Sequence, residues 1–584
     1  MIDWVRPSGK SLVLGSRGRR GVRRKGRPEG LRYDRRATTC AARRATSGSA
    51  GLEACRARPE SGSAGGSDER RALPRGSSIL TLVVVLSVLG AASGCSQTRP
   101  EGDAIVVAVA NAPLNLDPRV GADEASQKAH QLLFNTLVRI DNDLRTVPDL
   151  ATSIEQPDPL TYVAHLRRGV LFHNGRELTS EDVVYTFRSF LDPNFGGRSG
   201  AYRNLAAVDA TDRYTVTFTL KEPFGSFDVN LVMGIVQAGS GSDNVRQPIG
   251  TGPYKLVSFV QDDRLVLGPF DRHYGGAPAN SGLVLKVVPD DTMRGLELRK
   301  GTVDLVVNDL APDIIWQLRK EGRLQVAVAP GSDYAYVGLN LRDPILQHTD
   351  VRRAIGSAID RQAIVENLRR GFATVAIGIV PPMSWAFEPD VLTLRYDPSH
   401  AKRLLDDAGF PDPDGDGPLP RFRLTLKTST SEVYRVQAAA IQHDLGRVGI
   451  AVDIKSSEFQ TLFADVVRGN FQLYTLQFVG VTDPDMLRRV FHSQQAAPAG
   501  LNRVFYSDPE VDSLIDEATR AVDHGRRRVL YSKVQRLIAE DVPYIGLWYK
   551  TNVAVFQPDI HGVRLSPIAD FTFLKDVDRE ARGR

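Results

Sequence analysis

The chain has 584 residues, well beyond the size at which one hydrophobic core stops growing, so two or three domains are expected. With 42% apolar and 24% charged residues, its composition excludes a disordered chain, a collagenous one and a multi-span membrane protein. The net charge of +5 is misleading: residues 1–78 hold 19 Lys and Arg against 7 Asp and Glu, a net of +12, which leaves 79–584 at about −7 and removes the case for nucleic-acid binding.

Residues 1–78 are rich in Arg, Gly, Ala and Ser and show no apolar periodicity, the composition of a segment that cannot offset its chain entropy by burial. Residues 79–92, ILTLVVVLSVLGAA, follow Arg70, Arg71 and Arg75 as an uncharged run too short to span a bilayer comfortably. It has the character of a secretory h-region and closes on Ala92-Ser93-Gly94-Cys95. That closing tetrad resembles the lipobox of bacterial lipoproteins, with Ala92 where Leu is usual. The resemblance implies cleavage after Gly94 and acylation of Cys95, with 79–94 the signal peptide and 95–102 a tether. Because such leaders stand at a chain's start, 1–78 is expected either to be a disordered basic extension or to lie upstream of the true start. Cys40 and Cys55 fall in the tail, so Cys95 is the only Cys from 95 onward, which excludes an intrachain disulfide and a Cys-based metal or thiol site there.

From 103 the pattern is α/β. Ile105 to Val109 and Leu283 to Val288 read as strands, as does Ile450 to Ile454. Tyr214, Val216, Phe218 and Leu220, and later Phe422, Leu424 and Leu426, alternate with polar residues as half-buried strands do. Thr179 to Asp182 is a capping-box pattern opening a helix. Val351, Ala354, Ile355, Ala358 and Ile359 form one helical stripe, with Asp350 a candidate cap and Arg352 and Arg353 on the solvated side. Ser399 is the candidate cap of a helix that ends at Gly409. No fixed-period repeat occurs.

Catalytic signatures are missing: there is no G-x-x-x-x-G-K-[ST], G-x-G-x-x-G, G-x-S-x-G or H-E-x-x-H. The ten His include no pair at i, i+4. His173 reads as a hydrogen-bonded loop residue. Residues 412–417, DPDGDG, imitate the start of an EF-hand loop, but Arg423 stands where the bidentate Glu is needed, so an acidic turn is expected instead. No enzyme, metal site or cofactor is predicted.

Five ordered blocks point further. They are 166–187 (LRRGVLFHNGRELTSEDVVYTF), 248–255 (PIGTGPYK), Asn340 and Pro344 followed by 350–361 (DVRRAIGSAIDR), 396–409 (YDPSHAKRLLDDAG), and Asp483-Pro484 with 506–512 (YSDPEVD). Their sequence and spacing resemble the extracellular solute-binding protein family 5 of ABC transporters, which includes oligopeptide-, dipeptide- and nickel-binding proteins. The resemblance implies a two-lobed, type II periplasmic-binding-protein fold of class α/β, with two strand crossovers and an extra subdomain on lobe I. Lobe I is expected at 103–142, 245–330 and 550–584, its subdomain at 143–244 and lobe II at 331–549, with crossovers near 331–339 and 545–553. It also implies a monomer in the periplasm or cell envelope, tethered to the membrane by lipid, that hands a small, peptide-like solute to ABC permease and ATPase subunits. A nickel or metal-chelate receptor of the same fold is the alternative, and a non-transport envelope lipoprotein a more distant one.

For the site, residues 471–485 (FQLYTLQFVGVTDPD) carry the most information. In peptide-binding members an aromatic and then an acidic residue precede the Asp-Pro-like element, and the acidic one holds the peptide ammonium. Anchored on Asp483-Pro484, those positions fall on Gln477 and Gly480, so the usual carboxylate is missing. Candidate ligand contacts are therefore Asn115, Asp117, Tyr336, Asn340, Trp385, Tyr474, Gln477, Phe478 and the position of Gly480.

Overall fold

A computed structural model describes residues 102–415 and 417–580. The expectations for 1–78, for the leader 79–94 and for Cys95 lie outside the described residues.

The chain enters lobe I on β1 (Ile105–Val109), an IVVAV run buried on both faces, as parallel strands under helices are. Helix α1 (Glu124–Leu133) follows, capped by the Asp123 side chain accepting from the Ser126 N–H. The chain then leaves for a subdomain. There β2 (Val138–Ile140) pairs with β3 (Thr146–Pro148), and β4 (Ala151–Asp158), β5 (Thr161–Leu166), β6 (Leu205–Asp212) and β7 (Thr215–Leu220) form an antiparallel sheet in the order β4-β5-β7-β6. Helix α2 (Ser180–Arg188), opened by the Thr179–Asp182 capping box, covers it. Phe187, Phe218 and Phe227 are central to a core that also takes in Leu137 and Val138.

Back in lobe I come β8 (Tyr254–Val260), β9 (Arg264–Pro269), β10 (Leu283–Val287), α3 (Asp291–Lys300), β11 (Leu305–Val307) and α4 (Pro312–Glu321). The 248–255 block sits where backbones nearly touch: a Cβ on Gly250 would lie 1.9 Å from the Leu133 carbonyl oxygen, which only glycine avoids. The chain then crosses on β12 (Gln325–Leu339).

Lobe II holds α5 (Thr349–Ala358), α6 (Arg361–Asn367), β13 (Ala373–Val375), α7 (Pro398–Asp407), β14 (Phe422–Ser429), α8 (Glu432–Gly446), β15 (Ile450–Ser457), α9 (Phe459–Arg468), β16 (Leu473–Phe478), α10 (Met486–Phe491), α11 (Pro509–Arg520) and α12 (His524–Asp541). β17 (Tyr544–Phe556) carries the chain back. One sheet runs through both lobes in the order β15-β14-β16-β12-β17-β11-β1-β10-β9-β8.

Three local expectations need correcting. Helix α7 is capped by the Asp397 carboxylate, which accepts from the His400 N–H, and not by Ser399. Helix α5 has His348 at its N-cap and no side-chain cap, and Asp350 pairs with Arg353 instead. Arg352 is buried: its guanidinium donates to the carbonyls of Leu346, Gln347 and Asp541, tying α5 to the end of α12. Carbonyls at a helix C-terminus are natural partners for a guanidinium, a contact that helical periodicity cannot reveal.

β12 and β17 pair antiparallel along their length, but the register breaks between Pro330, opposite Thr551, and Tyr334, opposite Tyr549. On β17, residues 331–333 thus stand opposite the single residue Lys550. At Gly331 a Cβ would stand 2.3 Å from the Lys550 carbonyl oxygen, so the bulge requires glycine there. Lobe I residues pair on one side of this break and lobe II residues on the other.

Candidate ligand site at the lobe junction

The strand break gathers groups from both lobes. Asp333, inside the bulge, accepts a 2.9 Å hydrogen bond from the Gly480 N–H, and the Val481 N–H donates to the Ser332 carbonyl. The turn after β16 is thereby clamped to the crossing strand. Gly480 has φ +63°, and a Cβ built on it would meet nothing within 4 Å. Lys550 faces the bulge from β17. From lobe I, Glu124 at the start of α1 pairs with Lys128 at 2.8 Å, and Lys128 lies 3.8 Å from Asp309. Burial pushes the Asp333 carboxyl up; Lys550 pulls it back and the negative charge of Glu124 adds to the rise. Lys128, with help from Lys550, holds the largely exposed Glu124 below its ordinary range.

The lobe II wall is built on alternation. Ala335 lies opposite both Gln477 and Trp548, which puts Gln477 on the sheet face that carries the half-buried Tyr434 and Arg369. Beside them the buried hydroxyls of Thr428 and Thr475 are 3.1 Å apart. The Arg369 guanidinium stands 5.6 Å over the Trp548 ring, and its buried Nε has no hydrogen-bond partner. Burial lowers Arg369 from its ordinary value and raises Tyr434, with Arg369 and Asp333 acting on Tyr434 in opposite senses.

A second contact joins lobe II to the subdomain. Arg527 on α12 donates to the Gly225 carbonyl at 2.8 Å and to the Ser226 hydroxyl, and the Gly225 N–H donates to the Thr519 carbonyl at 2.8 Å. The same guanidinium lies 5.2 Å over the Trp385 ring. Near it, burial pushes the Asp483 carboxyl up to about 7, against the pull of Arg527 and with the nearby charges of Asp485 and Asp228 adding to the rise. Among the described residues, no group of three or more His, Cys, Asp or Glu is placed to hold a metal. No helix among them is long and apolar enough to cross a membrane.

This architecture, two lobes on a shared sheet, matches known proteins. Residues 145–497 fit the profile of bacterial extracellular solute-binding proteins, family 5 Middle. The chain belongs to this family. It is 29% identical over 527 residues to the oligopeptide-binding protein AppA of Bacillus subtilis (strain 168), covering 84% of this chain and 96% of AppA. It is 25% identical over 530 residues to di/tripeptide-binding protein 1 of Pseudomonas aeruginosa (strain UCBPP-PA14), covering 84% and 97%. The structure of Bacillus subtilis AppA in complex with a nonapeptide superposes with a TM-score of 0.68 at 28% identity, over 82% of this chain and 99% of AppA. The ABC transporter-associated periplasmic binding protein DppA of Helicobacter pylori, in complex with the peptide STSA, gives 0.67 at 25% identity, over 82% and 98%. The fold is accordingly the two-lobed one of family 5.

Within this family 5 protein the expected site residues divide. Gln477 and Gly480 lie at the lobe junction. Trp385 is half-buried against Arg527, His524 and Tyr531, at the subdomain contact. Tyr336, Tyr474 and Phe478 do not line a cleft: they are buried in the lobe II core, where Tyr336 stacks on Phe478 with centroids 4.8 Å apart and Arg503 lies over Phe478. The strand explains this. Tyr474, Leu476 and Phe478 share one face of β16, and Gln477 points to the other. Asn340 is a buried clamp whose amide donates to the carbonyls of Phe471 and Gly469. Asp117 is buried, with both oxygens held by Arg119, at the edge of a groove of about 920 Å³ bounded by Tyr185, Phe195 and Ser242. Asn115 accepts from the Asp117 N–H and shapes that turn. Sequence reading misses Asp333, Lys550, Glu124, Arg369, Tyr434 and Arg527. The Gly-Ser-Asp at 331–333 interrupting an otherwise strand-like run is the one local signal among them.

Proposed function

We propose that this protein is the substrate-binding lipoprotein of an ABC importer, held to the cell envelope through an acylated Cys95. It captures a peptide or similar small solute between lobe I (103–142, 245–330, 550–584, with the subdomain near 143–244) and lobe II (331–549), and delivers it as a monomer to a membrane permease. The observation that carries this reading is the lobe junction. Asp333, Lys550 and Arg369 stand there half-buried with no ion-pair partner within 4 Å among the described residues. Charges left this way are costly unless a guest completes them. A solute touching both walls binds the closed form better than the open one, and its differential affinity sets how far the lobes shift toward closure. The peptide-binding relatives support a peptide-like guest.

Native mass spectrometry of the protein, refolded to strip carried-over ligand and offered pools of short peptides and nickel–histidine chelate, tests this. Bound peptide masses are expected, with a stabilisation of about 2.7 kcal/mol at a hundredfold excess over Kd. Capture of the nickel chelate and of no peptide would replace the peptide reading with the metal-chelate one.

A further inference from the structure

Residues 331–333, where the register between β12 and β17 breaks, are held from outside the sheet. After β17 the chain turns back along lobe I, and the carbonyls of Ser566 and Pro567 meet both crossing strands. The Asn552 side-chain amide on β17 donates to the Ser566 carbonyl at 2.9 Å and to the Pro567 carbonyl at 3.0 Å. The Ser332 N–H on β12 donates to the same Pro567 carbonyl at 3.0 Å. We propose that residues 566–567 form a strap that fixes the pivot of lobe closure, with Asn552 as its positioning residue, an inference that rests on the capture by closure proposed above.

Asn552 is 3% exposed, so water cannot replace its partners. Both amide hydrogens go to the strap, and its side-chain oxygen accepts from the Asn308 amide at 3.0 Å. Asn308, next after β11, exchanges two hydrogen bonds with the Val553 backbone: its side-chain oxygen accepts from the Val553 N–H at 2.9 Å, and its own N–H donates to the Val553 carbonyl at 2.9 Å. The strap itself is anchored in lobe I. The Ser566 hydroxyl donates to the Asp570 carboxylate at 2.6 Å, the Phe571 N–H donates to Gln131 on α1 at 2.9 Å, and the Phe571 ring is fully buried in the lobe I core. Asn308 and Ala569 hold left-handed backbone, with φ +61° and +50°. Strain of this kind persists where surrounding contacts over-determine the chain. On the far side of the pivot the Ser332 carbonyl accepts from the Val481 N–H, in the lobe II turn. Ser332 is thus tied to lobe I through its N–H and to lobe II through its C=O, which confines rotation of the lobes to the bulge. A bulge held this way has one conformation before a guest arrives. Without the strap, closure has to order it as well, and fixing the backbone of one further residue weakens binding by about fivefold to thirtyfold.

Single-molecule energy transfer between dyes on engineered Cys residues, one on each lobe, and calorimetry with a synthetic pool of mixed-sequence tripeptides test this. The proteins compared are the wild type, Asn552→Ala, Gln131→Ala and Asn502→Ala. Asn552→Ala removes the grip on the strap. Gln131→Ala frees the Phe571 N–H from α1 and leaves the pivot residues in place, so it decides the matter if circular dichroism shows Asn552→Ala unfolded. Asn502→Ala is the stability control: Asn502 is also a fully buried amide donating to two carbonyls, those of His492 and Tyr506, but it lies within lobe II. In Asn552→Ala the unliganded distance distribution is expected to broaden and peptide affinity to fall by about fivefold to thirtyfold, with smaller changes of the same sign in Gln131→Ala. Asn502→Ala is expected to melt earlier while keeping the distribution width and affinity of the wild type. Wild-type widths and affinities in Asn552→Ala, or in Gln131→Ala where Asn552→Ala is unfolded, overturn the strap and leave capture by closure standing. So does equal broadening and weakening in Asn502→Ala. A wild type that binds no peptide, or binds it with no shift of the distribution, overturns capture by closure instead.

Discussion

Replacing Arg527 by Ala removes the side chain that fastens lobe II to the subdomain. Two of its hydrogen bonds cross that interface, one to the Gly225 carbonyl and one to the Ser226 hydroxyl, while the backbone bond from Gly225 to Thr519 remains. Each is worth about 1 to 1.5 kcal/mol net of the water that replaces it on opening, so the closed form loses about 2–3 kcal/mol. That is a shift of roughly 30- to 150-fold in the closed-to-open ratio. The sequence from 102 on contains no Cys, so one engineered Cys on the subdomain and one on lobe II give a clean pair for single-molecule energy transfer. Arg527→Ala should move the unliganded distribution toward longer distances and weaken ligand binding by the same factor. Arg527 also packs on Trp385 within lobe II, so Ser226→Ala is the needed companion: it removes one bond only and should give about a fivefold shift. Distance distributions and affinities unchanged in both variants would refute the reasoning, because the contact would then contribute nothing to closure.

Other outcomes follow from the same contacts. Tyr336→Phe deletes a fully buried hydroxyl that lacks a hydrogen-bond partner, so thermal stability should change by less than about 1 kcal/mol and ligand affinity not at all; a calorimetric loss of affinity would return Tyr336 to the site. Gly331→Ala forces a Cβ against the Lys550 carbonyl and should cost about 1–3 kcal/mol in a denaturant titration. Asp483, with its carboxyl at about 7 in the folded protein against about 3.9 in a free chain, retains a proton that the unfolded chain gives up. Its contribution to stability should therefore be full below about pH 4, decline as pH rises to about 7 and level off above it, a slope that Asp483→Asn removes from the pH dependence of the melting temperature. The buried His130 and His173, pulled down to about 4, act in the opposite sense. The unfolded chain gains protons below about pH 6.5 that these side chains refuse, so melting temperature should fall from pH 6.5 to 4, and less so in His173→Gln.

The strands that alternate on one face were legible because side-chain period is a local property: Thr215–Leu220 and Phe422–Ser429 are where alternation puts them. The family blocks were legible for a related reason, since residues such as Gly250 and the Thr179–Asp182 box are tied to backbone geometry close by. The site was legible only in part. Gln477 and Phe478 were both expected at the ligand, yet neighbours in a strand face opposite ways, and only the partner strands decide which face is core. Asp333 could not be found from the segment around Gly480, because its position depends on a register break between β12 and β17 and on docking of the turn after β16. Arg352 shows the same limit: helical periodicity places it outward, while helix α12, nearly two hundred residues on, buries it.

The most direct measurement is small-angle X-ray scattering of the ligand-stripped protein with and without saturating peptide, paired with mass spectrometry of the peptide afterwards. A guest held between two closing halves predicts a smaller radius of gyration on addition and a peptide recovered intact. Binding that leaves the scattering curve unchanged, or a peptide recovered in fragments, would contradict capture by closure.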